Sequence, residues 1–237
     1  MAAKRNACKI IAVMNQKGGC TKTATTMQIG GAFAEATVPT AIVDMDPQST
    51  ATLWSMQTRP GRPQFPAKVV SLGAMKEAFL DKLAPLMEAH ELIIIDCPPA
   101  VESNVPWASL AVADLALIPV VPVMDNVWAS KIAEELVFKA REERTKKKVE
   151  SSLDAVFLLQ QQRRGTVFEV CEDVLREGAR IPILKSRIAL RNIYPESQLY
   201  GTHVTAMGKT PAAAEVTALR DEVAKILGIK IPKAGKK

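Results

Sequence analysis

Cysteine, histidine and aromatic residues are scarce in this chain. Its 237 residues include four cysteines and two histidines, and Phe, Trp and Tyr together make only 5%. Cys8, Cys20, Cys97 and Cys171 are far apart, none forms a C-x-x-C pair, and His90 and His203 lie near no cysteine in sequence. A zinc site or a disulfide framework is therefore not expected, and isolated thiols suit a reducing compartment. Long hydrophobic runs are missing too. The longest, at residues 92–95 and 115–123, are far too short to cross a bilayer. Lys4 and Arg5 near the start are not followed by an apolar core ending in a small-residue cleavage site, so no secretory leader is expected. No repeat or low-complexity segment occurs. These absences point to a cytoplasmic protein without a membrane partner.

What is present is ordinary globular material, 48% hydrophobic and 24% charged, at a length that favours one sizeable α/β domain. The net charge of +6 is uneven. Residues 1–140 hold 12 Lys and Arg against 13 Asp and Glu, whereas residues 141–237 hold 19 against 12. The whole basic excess thus falls in the C-terminal part, which suggests a polyanionic partner, nucleic acid before membrane.

Short apolar runs at residues 9–14, 40–44, 68–70, 92–96, 113–121 and 154–159, with the start of another at 183–184, have the character of strands. Residues 92–96 (LIIID) show no alternation, the pattern of a central strand buried on both faces. Helices are expected at 22–36, 49–56, 75–89 despite Pro85, 128–144, 167–177 and 211–227. Residues 58–66 hold three prolines and a glycine and form a loop. Strand and helix alternate throughout, so the expected fold is a doubly wound α/β fold with a mostly parallel sheet and helices on both faces. Residues 1–8 are expected as an extension, 9–228 as one domain, and 229–237 as a basic tail.

The sharpest signal lies between the first strand and the first helix, where residues 16–23 read QKGGCTKT. Gly18 and Gly19 let backbone N–H groups turn inward toward phosphate oxygens, and the helix N-terminus adds unpaired donors and partial positive charge. Lys22 is placed to reach the β- and γ-phosphates, and the Thr23 hydroxyl to ligate Mg²⁺. The common pattern G-x-x-x-x-G-K-[ST] is not met, because Gln16 and Thr21 stand at its two glycines. Acids close two of the strands, Asp44 with Asp46 (DMDPQ) and Asp96 (DCPP). In a parallel sheet these ends share an edge with the phosphate loop, where carboxylates can hold Mg²⁺ and position an attacking water. The alternative for any one of them is a helix cap or a turn residue. Cys20 sits at a helix N-terminus, where a thiolate is favoured; the alternative is a neutral small loop residue.

These segments resemble the deviant Walker A ATPases of the ParA/MinD group, whose pattern is K-G-G-x-G-K-[ST]. The V-D-M-D-P-Q run from Val43 and the D-C-P-P run from Asp96 are similar to two further motifs of that group, in the same order. Pro119, Pro122 and Asp125 resemble the next segment of the small plasmid-partition ATPases. The resemblance implies that Lys17 reaches across a dimer interface to the partner's nucleotide, and that Gly18, Gly19, Cys20, Thr21, Lys22, Thr23 and Ala24 wrap the phosphates. It implies that Thr23 binds Mg²⁺, Asp96 holds the metal through water, Asp44 supports its shell, and Asp46 orients the attacking water. Gln160 and Gln162, at a strand end, and Gln198, in a segment similar to E-x-P-x-x-G, are expected near the adenine.

The implied function is an ATP-controlled homodimer that binds DNA without sequence preference, releases it on partner-stimulated hydrolysis, and so partitions plasmid DNA. Arg163, Arg164, Lys185, Arg187 and Arg191 are the expected phosphate contacts of that DNA, which would make the protein nucleoid-associated. No helix-turn-helix segment precedes Lys9, so an adaptor protein would read any centromere. A conjugation-accessory or other cargo-positioning ATPase remains an alternative, as does a nucleotide-sensing module with little hydrolysis. The last is suggested by Thr21, where the group has glycine: a β-branched residue is costly if the backbone there needs positive φ.

Overall fold

The computed structural model describes residues 8–58, 64–99 and 104–232. The N-terminal extension before Cys8, the middle of the proline-rich loop, and Lys233, Lys236 and Lys237 of the basic tail lie outside the described residues.

The strands are β1 (Lys9–Val13), β2 (Thr40–Asp44), β3 (Lys68–Ser71), β4 (Leu92–Asp96), β5 (Leu115–Val120), β6 (Asp154–Gln162) and β7 (Ile183–Ala189). They form one seven-stranded sheet in the order β3-β2-β4-β1-β5-β6-β7, and every pairing is parallel. Helices α1 (Lys22–Glu35), α2 (Thr50–Met56), α3 (Leu83–Ala89), α4 (Val105–Val112), α5 (Met124–Lys146), α6 (Thr166–Gly178), α7 (Ile193–Leu199) and α8 (Pro211–Leu227) connect and cover it. The α/β fold is thus doubly wound, as the alternation of apolar runs implies.

Period-two alternation in the central strands divides the core in two. Ile10, Ala12, Ile93 and Ile95 face the layer made by α3, α4, α5 and α6. Ile11, Val13, Leu92 and Ile94 face the layer of α1, α2 and α8. Each fully buried branched side chain contributes about 1.5–3 kcal/mol relative to exposure. Both faces are apolar, which is why these strands read without alternation in hydropathy.

The expected helix over residues 75–89 divides. A 3₁₀ segment runs from Gly73 to Lys82, broken at Lys76 (φ 48°), and α3 starts only at Leu83. A Cβ on Gly73 would lie 3.0 Å from the Asp46 carbonyl oxygen, so glycine here lets the chain press against the turn after β2 without crowding it. Pro85 falls in the first turn of α3, where its missing N–H costs nothing. Helices α4 and α7 carry no clear period: α4 is apolar almost throughout and α7 spans only seven residues.

The sheet topology brings the acids together. Register pairs Val13 with Asp96 across β1 and β4, and Asp44 with Asp96 across β2 and β4. All three strands end at the edge where the turn into α1 begins.

Candidate functional site

The turn from β1 into α1 is tied down from within. Asn15 is buried, and its Nδ2 donates to the Pro119 carbonyl at 2.9 Å, fastening the loop to the end of β5. Gly19 has φ 77° and Thr21 has φ 65°, ψ 22°, so the chain takes left-handed steps on both sides of Cys20. The condition for strain at Thr21 is therefore met. Its hydroxyl donates to the Cys20 carbonyl at 2.6 Å, and its own carbonyl accepts from Thr25 N and Thr25 Oγ1, both at 2.8 Å. Lys22 is buried at the centre of the turn, and its Nζ donates to the Lys17 carbonyl at 3.0 Å. A phosphate group placed in this loop would meet Lys22 and the first N–H groups of α1 together.

The surroundings of Cys20 disfavour a thiolate. Its side chain is fully buried, its Sγ donates to the Lys17 carbonyl at 3.0 Å, and burial pushes its pKa up despite the nearby Lys22 charge. The neutral loop residue is the reading that fits, because desolvation outweighs the helix terminus and the lysine.

Asp96 is the most perturbed carboxyl at this edge. Burial pushes its pKa up to about 7. The hydroxyls of Thr23 and Thr26 and the Lys22 charge pull against that shift, while the neighbouring Asp44 charge adds to it. Asp96 Oδ1 accepts from Thr26 Oγ1 at 3.2 Å, but the buried Oδ2 has no hydrogen-bond partner among the described residues. An orphaned carboxylate oxygen beside a threonine hydroxyl suits a hydrated divalent cation, so Thr23 and Asp96 fit Mg²⁺.

Asp44 is placed differently. Both its oxygens are occupied: Oδ1 accepts from Asp46 N at 3.2 Å, and Oδ2 accepts from Thr52 N and Thr52 Oγ1 at 2.8 Å. It closes the first turn of α2, the structural role an acid at a strand end can take. Asp46 Oδ1 accepts from Gln48 N at 2.8 Å, and the residue is half-buried on the same edge.

Lys17 points outward from the loop, and its Nζ is ion-paired with the Asp125 carboxylate in the first turn of α5. Trp107 and Trp128 are exposed. Trp54 is buried, with its indole N–H on the Thr202 carbonyl at 2.9 Å.

A cavity of about 320 Å³ opens beside the start of α1. Thr21, Ala24, Thr25, Gln160, Gln161, Arg191, Asn192 and Gln198 line it, over a floor that includes Trp54, Val216 and Leu219. Gln160 donates to Thr25 Oγ1 at 2.6 Å and so joins β6 to α1. Gln162 is not at the cavity. Strand alternation would put Gln160 and Gln162 on one face, but Gln161 has φ 49° and the β6–β7 register shifts at this point. The bulge brings Gln161 to the cavity and turns Gln162 away, where its amide bonds Glu172 at 2.9 Å and Arg187 at 3.1 Å.

The basic residues also divide. Arg163 and Arg164 are exposed in the loop after β6, with the Arg163 guanidinium 5.4 Å from the centre of the Phe168 ring. Lys185 is exposed on β7. Arg187 and Arg191, also expected on the DNA surface, are each paired with an acid of the same chain. Arg187 pairs with Glu172 at 2.8 Å and Arg191 with Glu215 at 2.7 Å, so part of their charge is neutralised within the chain. Charge counting along the chain did not pair them, because their acids lie on other elements. Thr26, Asn15 and Gln161 were missed too; only the helical spacing of Lys22 and Thr26 could have hinted at one of them. Among the described residues no helix is long and apolar enough to cross a membrane.

Residues 11–229 match the family described as the CobQ/CobB/MinD/ParA nucleotide binding domain. The maintenance of carboxysome distribution protein A of Halothiobacillus neapolitanus is 26% identical over 215 residues, covering 90% of this chain and 95% of that protein. The chromosome partitioning protein ParA of Myxococcus xanthus is 30% identical over 47% of this chain and 51% of that protein. Among solved structures, an ATP complex of Cyanothece McdA superposes with a TM-score of 0.72 at 17% identity, covering 97% of this chain and 100% of that one. The septum site-determining protein MinD of Pyrococcus horikoshii, complexed with Mg-ADP, gives 0.67 at 18% identity, covering 94% and 98%.

Proposed function

The chain belongs to the CobQ/CobB/MinD/ParA nucleotide-binding family, and from that premise we propose that it is an ATP-dependent dimerising switch that positions a cargo on DNA. The observation that carries this reading is the buried, partnerless Asp96 Oδ2 beside Thr23, at the foot of a loop built around Lys22. Lys22 and the first N–H groups of α1 bind the β- and γ-phosphates. Thr23 and Asp96 hold Mg²⁺, which when bound neutralises charge on those phosphates. Asp46 orients the attacking water. Gln160, Gln161 and Gln198 border the base.

Hydrolysis of ATP to ADP and phosphate would be slow until a partner stimulates it. Lys17 would leave Asp125 and reach the nucleotide of a second copy, so that ATP completes an isologous dimer. In that state the dimer would bind DNA without sequence preference through Arg163, Arg164 and Lys185, with a separate adaptor supplying the cargo. The two relatives described above are named for carboxysome distribution and for chromosome partitioning. Those names support positioning as the task, with plasmid DNA or another large body as the cargo, in the cytoplasm on the nucleoid. A second reading, a nucleotide-sensing module with little turnover, is favoured by the left-handed Thr21.

Sedimentation with ATP or ADP and Mg²⁺, with and without non-specific duplex DNA, tests the proposal. ATP should produce a DNA-binding dimer, and Lys22→Ala should not. Nucleotide binding without any change in oligomeric state or DNA affinity would sink the switch. A dimer without turnover, even with host extract, would favour the sensing module.

A further inference from the structure

Glu215 lies on α8, outside every motif of the phosphate loop and its acids. Its carboxylate nevertheless gathers four hydrogen bonds from three residues at the end of β7 and just after it. Oε2 accepts from Ala189 N at 3.2 Å and from Tyr194 Oη at 2.9 Å. Oε1 accepts from Arg191 Nε at 3.0 Å and from a terminal guanidinium nitrogen at 2.7 Å. Ala189, Arg191 and Tyr194 all line the cavity beside α1, together with Leu190 and Asn192 between them. One carboxylate therefore fixes a complete stretch of cavity wall.

The same helix repeats the device two turns further on. Glu222 accepts from Lys185 N at 2.9 Å and Ser186 N at 2.8 Å, which holds the outer strand β7 itself. Residues seven apart lie on one helix face, so α8 grips β7 and its following segment along a single line. No member of the Glu215 cluster bonds Lys22, Thr23 or Asp96 in this structure. The cluster shapes the end of the cavity away from the phosphates and leaves the reacting end alone.

We propose that Glu215 is the positioning residue of the nucleoside end: through Ala189, Arg191 and Tyr194 it holds the wall against which base and ribose bind. This rests on the nucleotide reading above. It also assigns Arg191 to the nucleotide pocket rather than to a DNA surface. Glu215 touches no reacting atom, so its loss weakens retention of the nucleoside without slowing the chemical step.

The test compares two probes, ATP and inorganic tripolyphosphate, the second of which has phosphates and no nucleoside. Wild-type protein should bind both in Mg²⁺, and Lys22→Ala should lose both. In Glu215→Ala the Kd for ATP should rise about tenfold while that for tripolyphosphate stays within about twofold. The KM for ATP should rise with it, and kcat at saturation should not change. Glu215→Gln, which keeps the shape and one acceptor oxygen, should fall between, and Tyr194→Phe should show the smallest loss. These two are read in place of the alanine variant if it does not fold, as judged by circular dichroism. An equal loss for both probes, or a folded variant with unchanged ATP affinity, overturns the positioning role. Failure of wild-type protein to bind either probe overturns the nucleotide reading instead.

Discussion

Lys17 of the phosphate loop and Asp125 of α5 form an ion pair within one chain. The loop is thereby tied to the first turn of the longest helix, and the lysine cannot serve a second subunit while the pair is intact. Both groups are partly exposed, so Asp125→Ala should change stability by less than about 1 kcal/mol. It should lower the ATP concentration at which the protein dimerises, since the lysine no longer has to be released. Lys17→Ala should keep ATP binding and lose the dimer. Sedimentation velocity across an ATP titration reads both, and an unchanged midpoint in Asp125→Ala would show that the pair does not restrain Lys17.

Thr21 occupies a left-handed position that glycine takes without strain. Relief of about 1–2 kcal/mol is partly offset by the extra freedom glycine has when unfolded. Thr21→Gly should therefore raise Tm by a few degrees and tighten ATP binding or speed turnover. Thermal melts and ATP titration check this, and no change in either would mean that the loop carries threonine without strain.

Asp96 is buried with one oxygen unpartnered. Asp96→Asn removes a desolvated carboxylate but keeps its shape, so the fold should be as stable or more stable. Mg²⁺-dependent nucleotide affinity should fall about 10–100-fold, the usual loss when a group that orients a metal shell is removed. Calorimetry with and without chelator separates the two effects. A Tm several degrees lower would show that Asp96 is first a structural residue.

His203 is buried, with Nδ1 2.7 Å from Thr205 Oγ1, Glu35 at 3.9 Å and its ring edge-on to Phe65. Burial lowers its pKa below the ordinary 6.5, and the Glu35 carboxylate opposes this only in part. The unfolded chain then binds the proton more readily than the folded one. Its contribution is intact above about 6.5, the ordinary histidine value, and is lost as pH falls below it. Urea melts at pH 7.5 and 5.5 should differ for wild type, and the part due to His203 should vanish in His203→Gln. An unchanged difference would place the titration elsewhere.

Arg163 and Arg164 are exposed, whereas Arg187 is paired with Glu172. Replacing Arg163 and Arg164 together by Ala should weaken ATP-state DNA binding equally for all sequences and lower the salt slope by about 1–2. Arg187→Ala should leave affinity close to wild type. Fluorescence anisotropy against salt checks both. Equal losses in the two variants would put β7 back on the DNA.

What could be read in advance depended on whether the signal was local. The strand of residues 92–96 was legible because burial on both faces leaves an unbroken apolar run. The phosphate loop was legible because Gly18, Gly19, Lys22 and Thr23 lie within a few residues of one another. Gln162, expected near the base from its place at a strand end, lies off the cavity because one left-handed residue at Gln161 reverses the faces beyond it. The partners of Arg187 and Arg191 were invisible because they come from α6 and α8. Asp44 shows the limit most clearly: an acid at a strand end suits both a metal shell and a helix cap, and the contacts that show the cap come from Thr52 on another element.

The grip of α8 on the segment after β7 also sets an order of events on the ribosome. The phosphate loop is made early and β7 late, but Glu215 and Glu222 emerge later still. A nascent chain halted before α8 has the loop and its acids, and lacks the clamp on the far wall. Nucleotide should therefore protect the full-length protein from proteolysis and not the stalled chain, so that ATP acts on the finished molecule rather than as a template for its folding.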